Sequence, residues 1–351
     1  MRDGPAWRLP LLFGSVSVAV VAVFLAALCL GSTPLPVDQA VRALFGLPVA
    51  EPRAEAVMWS VRLPRALTAV LAGAALGMAG LQMQTLFRNP LAEPYILGVS
   101  AGASLGVALV VTGAGGVAVG GFTAGLAGLG RTGIVVAASL GAALVLAIVL
   151  VLSRWVRSVV TLLVIGVMVG SGVTSVISVL LVYTNPQAAQ QFINWGLGTF
   201  AATTWLDLRL FAPVALAALL LALAGVKSLN ALLLGENYAR TMGVRVRRTR
   251  MLTMASAALL AGSVTAFCGP VAFLGLAVPH LARIASGTAD HRVLAPATVL
   301  LGAAAALLCG IAAQAPETGI LPLNAVTALL GAPIVIVVLV RSRGALRGAA
   351  L

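Results

Sequence analysis

Acid–base and metal chemistry have little to work with in this chain, which has two histidines and nine acids in 351 residues. His280 follows Pro279, and His291 sits in the run Asp290-His-Arg292. Neither has a partner at His-Glu-x-x-His spacing. An intramembrane hydrolase needs a nucleophile with a base, or a set of metal ligands. Cys29, Cys268 and Cys309 lie in or beside apolar segments without ligand spacing, and read as small buried hydrophobes. No catalytic residue and no metal site are expected. Nor is there a Gly-x-x-x-x-Gly-Lys-Ser/Thr run, and the single lysine, Lys227, follows a valine. The chain therefore has no P-loop to hold nucleotide phosphates.

Ion-coupled carriers place acids inside the membrane as proton or cation sites. Here Asp3, Asp38, Glu51, Glu55, Glu93, Asp207, Glu236, Asp290 and Glu317 fall in loops or at segment ends, with Glu93 nearest to a span. That placement weighs against a secondary transporter, which stays as the alternative. The charged run from Leu234 to Arg250 is the positive signal. Gly235 and Gly243 bracket a helix of about two turns. Glu236 and Arg240 form a favourable pair four residues apart, and Tyr238, Ala239 and Met242 give the helix an apolar side. From residues alone it reads equally as a docking helix or a solvated basic loop.

The elements that position these residues are membrane helices. The chain is 61% hydrophobic and 9% charged, against about 25% charged in ordinary globular proteins. Ten apolar segments are expected at 10–31, 64–84, 93–112, 132–153, 161–183, 208–226, 250–267, 271–285, 293–313 and 322–340. The first is too long for a signal-peptide core and reads as a retained span. With both termini cytoplasmic, sixteen of the 22 basic residues fall inside and six outside, a clear positive-inside bias. The +13 net charge is thus a topology signal, not a nucleic-acid footprint. Gly73 with Gly77, Gly98 with Gly102 and Gly106, and Gly166 with Gly170 recur at four-residue spacing, as tight helix packing requires. Breaks at Asn89-Pro-Leu-Ala-Glu-Pro94 and at Gly269-Pro270 hint at an inverted repeat. A single transmembrane domain spanning 1–351 is expected. It carries a short outside helix at about 186–199 and an inside loop at about 228–249.

Ordered motifs along residues 10 to 341 resemble the FecCD-type permeases of ABC importers. They are Arg62-Leu-Pro-Arg65, Leu86-Phe-Arg-Asn-Pro-Leu-Ala-Glu-Pro94 with Ile96-Leu-Gly-Val-Ser-Ala-Gly-Ala103, Trp195-Gly-Leu-Gly-Thr199 with Trp205, and Leu234-Gly-Glu-x-x-Ala-x-x-x-Gly243. Gly269-Pro to Pro279-His280, Asp290-His-Arg292, and Leu321-Pro-Leu-Asn to Ala332-Pro333 complete the set. The resemblance implies an all-α, ten-helix permease of the type II importer fold with an inverted repeat. It implies a homodimer in the inner membrane, two cytoplasmic ATPases and an extracytoplasmic binding protein. ATP and magnesium belong to the ATPases, and the permease binds no cofactor. A ferric siderophore is the expected cargo, with haem or cobalamin as alternatives.

The resemblance also assigns residues. Gly235, Glu236, Tyr238, Ala239, Arg240, Met242 and Gly243 would contact the ATPase. Arg62 and Arg65 would meet acids on the binding protein, where charge complementarity steers docking. Ser171, Ser175, Gln190, Asn194 and Trp195 would line the path, and Ser158, Val159, Val160 and Thr161 would form the inner gate. The family's arginine before the last span is missing here, where Gln314 and Glu317 stand instead.

Overall fold

The computed structural model describes residues 8–31, 35–49, 52–113, 128–156, 158–315 and 321–348. Among them there is no strand. Each of the ten apolar segments contains a helix: α1 (Arg8–Cys29), α4 (Leu63–Phe87), α5 (Val99–Thr112), α6 (Arg131–Leu152), α7 (Val159–Val182), α9 (Trp205–Ala224), α12 (Val246–Cys268), α13 (Leu274–Ser286), α14 (His291–Ala312) and α15 (Leu323–Gly348). Seven helices of the described residues are long and apolar enough to cross a bilayer. Between them lie α2 (Val37–Leu44), α3 (Pro52–Val57), α8 (Pro186–Gly196), α10 (Val226–Leu233) and α11 (Glu236–Thr241).

Several boundaries depart from expectation. Between the first two apolar segments the described residues are largely helical, and α3 runs through a π-helical turn at Met58–Arg62 straight into α4. The second span therefore starts well before Arg62-Leu-Pro-Arg65. Pro64 falls where its missing N–H costs least, because the wide turn has already relaxed the helical ladder. The outside helix stops at Gly196, where Gly198 at φ 71° turns the chain away. The inside loop at 228–249 is mostly α10, α11 and the first turn of α12.

α4 sits at the centre, with almost every residue from Ala72 to Leu86 buried. Lipid offers helices no hydrophobic reason to associate, so close backbone approach must hold them. The glycines permit it. A Cβ on Gly73 would fall onto Gly302 O of α14, and one on Gly80 onto Gly275 O of α13. Gly102 and Gly141 bring α5 against α6 in the same way.

The two expected breaks are real, and they meet. The third segment begins as a 3₁₀ turn at Pro94–Leu97, so its α-helix starts only at Val99. The eighth is preceded by non-helical chain from Gly269 (φ 74°), with Phe273 in the left-handed region at φ 66°, and turns helical at Leu274. Within a bilayer such backbone survives only if its polar groups are satisfied by protein. Three consecutive N–H groups here each donate to a different side chain. Val271 N donates to the Tyr95 hydroxyl (3.2 Å), Ala272 N to Asn324 Oδ1 (3.0 Å) and Phe273 N to Glu93 Oε1 (3.0 Å). The first break thus caps the second, and α15 supplies the third acceptor.

Asp207 closes a capping box with Thr204 at the start of α9. Arg131 Nε donates to Asp207 Oδ2 (3.1 Å), and its Nη2 donates to Phe267 O (3.0 Å), tying α6, α9 and α12 together. Trp205 stacks on Trp59 with ring centroids 6.3 Å apart and donates its indole N–H to Trp59 O (2.6 Å).

Candidate coupling surface and translocation path

α11 exists because glycine stands at both ends. Gly235 precedes it at φ 115°, and Gly243 follows at φ 81°. Val244 N donates to Ala239 O (3.0 Å) and Gly243 N to Arg240 O (3.0 Å), the crossed pair of bonds that ends a helix on a left-handed glycine. Ala239 is fully buried against Ala231, Leu232 and Val246. Tyr238 (53% exposed) and Met242 (58%) point outward with Leu234. The apolar side expected of this helix therefore divides. Ala239 anchors it, and Tyr238 and Met242 are presented to the surroundings.

Glu236 faces two arginines. Arg240 lies at 3.6 Å with most of its side chain exposed, whereas Arg250 of α12 lies at 2.6 Å with a side chain only 10% exposed. The second pair was missed in the sequence because its partners are 14 residues apart, across the Gly243 turn. Arg88, at the end of α4, donates to Leu232 O (3.2 Å) and so holds α10 against the central helix. A further chain of bonds joins α10, α14 and α4. Asn230 donates to Asp290 Oδ1 (2.6 Å) and accepts from His291 N (2.8 Å), while the His291 ring meets Thr85 Oγ1 (2.8 Å). Bonds from Arg292 N–H and Asn230 hold the Asp290 carboxyl below its ordinary range. The His291 ring is thus a satisfied structural group.

A hollow of about 770 Å³ opens beneath α4. Its lining includes Arg88, Val160, Gly235, Glu236, Tyr238 and Arg250. It brings together one expected gate residue and three expected coupling residues. Ser158 caps α7 by accepting from Thr161 N (3.3 Å), and Val160 is exposed. The side chain of Val159 lies outside the described residues.

The expected path residues lie along α7 and α8. Ser171, Thr174, Ser175 and Ser178 are all exposed on α7, on one face. Three of the hydroxyls bond back to the carbonyl four residues earlier: Thr174 to Gly170 O, Ser175 to Ser171 O and Ser178 to Thr174 O. On α8, Gln190 donates to Asn194 Oδ1 (2.9 Å), and both line a shallow hollow with Gln187. Trp195 is half-buried beside Phe192 and turned from that hollow.

Of the two expected docking arginines, Arg62 turns inward and Arg65 stays partly exposed. Arg62 is 6% exposed and donates through Nη1 to Leu28 O (2.6 Å) and Cys29 O (2.9 Å). It serves the orphan carbonyls that end α1, because that helix stops against the π turn. Arg65 is half-buried and donates to Gln314 Oε1. Gln314 therefore stands beside the docking pair where an arginine was expected. Glu317 lies outside the described residues.

Apolar helices held at glycine contacts, a break capped by side chains of another break, and a short exposed helix between spans make this a polytopic membrane protein. The comparisons place it more narrowly. The model of the FecCD transport family matches residues 19–341, and the chain belongs to that family. It is 35% identical over 336 residues to an ABC transporter permease protein, YvrB, of Bacillus subtilis, covering 93% of this chain and 92% of that one. It is 35% identical over 339 residues to the vitamin B12 import system permease protein BtuC of Klebsiella pneumoniae, covering 95% and 94%. A solved metal-chelate type ABC transporter in an inward-facing conformation superposes with a TM-score of 0.82 at 29% identity, over 95% of this chain and 99% of that chain.

Proposed function

We propose that this chain is the permease subunit of an ATP-driven importer that carries a metal chelate into the cytoplasm by alternating access. It works as a homodimer in the inner membrane with both termini inside, joined by two cytoplasmic ATPases and an extracytoplasmic binding protein. The ATPases supply the nucleotide and magnesium sites that this chain lacks. The observation that carries the reading is the hollow shared by Val160 and α11. A helix pushed from below by an ATPase moves the wall of the same space that the start of α7 closes.

In this scheme Tyr238 and Met242 dock into the ATPase, and the Glu236–Arg250 pair passes the displacement to α12. The path descends from Gln190 and Asn194 past Ser171 and Ser175 to Ser158–Thr161. Arg65, beside Gln314, offers the docking charge on the outer face, with Arg62 behind it closing α1. The family resemblance, not any residue of the path, makes a ferric siderophore the expected cargo. The vitamin B12 name carried by the relatives favours a corrinoid as a second reading.

The test is uptake into proteoliposomes holding the permease, its ATPase and its binding protein. Uptake should require ATP and the binding protein, and collapsing ion gradients should leave it unchanged. Uptake that survives without the ATPase and stops with the gradient would identify a secondary transporter instead.

A further inference from the structure

We propose that Glu93 is a cargo-contacting carboxylate, and that it selects chelates presenting N–H or O–H donors or positive charge over polyanionic chelates. The proposal deepens the path reading given above and rests on it. Beside α7 lies a hollow of about 510 Å³. Its lining includes Glu93, Tyr95, Gly166, Gly170, Ser171 and Thr174. Glu93 is the one acidic residue of that lining.

One of its oxygens is already explained, because Oε1 accepts from Phe273 N. The other, Oε2, has no hydrogen-bond partner among the described residues. The capping task alone does not call for a charge. Neighbouring N–H groups in the same break are satisfied by neutral acceptors, the Tyr95 hydroxyl and the Asn324 amide. A glutamine would cap Phe273 equally well.

The surroundings of Oε2 point to water and solute rather than lipid. The adjacent face of α7 carries Ser171, Thr174, Ser175 and Ser178, all exposed. A carboxylate facing hydrocarbon is costly, and membrane acids of this kind face a bundle interior or an aqueous cavity. An anionic oxygen beside hydroxyls accepts hydrogen bonds from donor-bearing ligands and repels negative ones.

The experiment uses the reconstituted complex and three probes. Cyanocobalamin and a neutral ferric trihydroxamate are rich in donors, and a ferric tris-catecholate is a trianion. Wild type should prefer the neutral probes. Glu93→Gln keeps the cap and the volume, so its melting temperature should match wild type. Its KM for a neutral probe should rise several-fold and its preference against the trianion should fall. If Glu93→Gln fails to assemble, Ser171→Asp tests the same groove, where added negative charge should sharpen the preference. A role limited to capping leaves the charge preference unchanged in Glu93→Gln, and cargo that bypasses the hollow leaves it unchanged in Ser171→Asp; either result overturns the proposal, as does a wild type that prefers the trianion. Absence of ATP-driven uptake for all three probes overturns the metal-chelate reading itself, a separate outcome.

Discussion

Glu236 is served by two arginines of unequal importance. Arg240 pairs with it along the surface of α11 at 3.6 Å and is 63% exposed, so water screens the pair. Arg250 reaches it from α12 at 2.6 Å with a nearly buried side chain. Removing one partner of a buried pair strands the other. Glu236 keeps 31% of its side chain exposed and retains Arg240, so Arg250→Met should cost less than a fully buried pair would, about 1–3 kcal/mol. Arg240→Met should cost less than about 0.5 kcal/mol. Thermal unfolding in detergent measures both. Uptake per ATP hydrolysed should fall roughly tenfold in Arg250→Met, the factor carried by about 1.4 kcal/mol. Equal effects from the two variants would show that α11 does not act through α12. Local spacing made Glu236–Arg240 visible in the sequence, as it made the Gly235 and Gly243 boundaries visible. Arg250 was hidden because nothing local records how the chain doubles back. Arg62 was hidden for a related reason. An arginine at the head of an apolar segment suggests a surface, and only the position of α1's last carbonyls reveals an interior use.

At the scale of elements, the glycine contacts are unequal and can be ranked. A Cβ on Gly80 would overlap the backbone of Gly275, which no side-chain rotation can relieve. Gly80→Val should cost at least the upper part of the ~1–3 kcal/mol range for overpacking and reduce monodisperse protein after extraction. Gly14 of α1 has nothing within 4 Å, so Gly14→Val should stay within about 0.5 kcal/mol of wild type. Size-exclusion profiles and melting temperatures compare the two, and equal losses would mean that the contacts are not what holds α4 to α13. The ten helices were legible because long uncharged runs have few other uses. The helix starts in the third and eighth segments were not, although Pro94 and Pro270 announced the breaks. Proline marks where a helix cannot continue. It does not say where three stranded N–H groups will find Tyr95, Asn324 and Glu93, which lie in other elements. A polar residue at the head of an apolar segment, as in Leu321-Pro-Leu-Asn324, is the signal that could have pointed to one of them.

For the molecule as a whole, charge asymmetry makes a prediction about sidedness. With the termini inside, α11 faces the cytoplasm and α8 the opposite side. On a background lacking Cys29, Cys268 and Cys309, Tyr238→Cys should react with an impermeant maleimide only in inside-out vesicles. Gln187→Cys should react only in right-side-out ones. Both positions are exposed, so failure to label is not a matter of burial. The reverse pattern would overturn the topology. The hydroxyl face of α7 has its own consequence for the life of the protein in a cell. A helix that turns Ser171, Thr174, Ser175 and Ser178 outward is badly suited to standing alone among acyl chains. A chain made in excess of its partners would leave that face bare in the bilayer. Its abundance should follow the dosage of whatever covers that face, so the strength of its own promoter alone would not set how much accumulates.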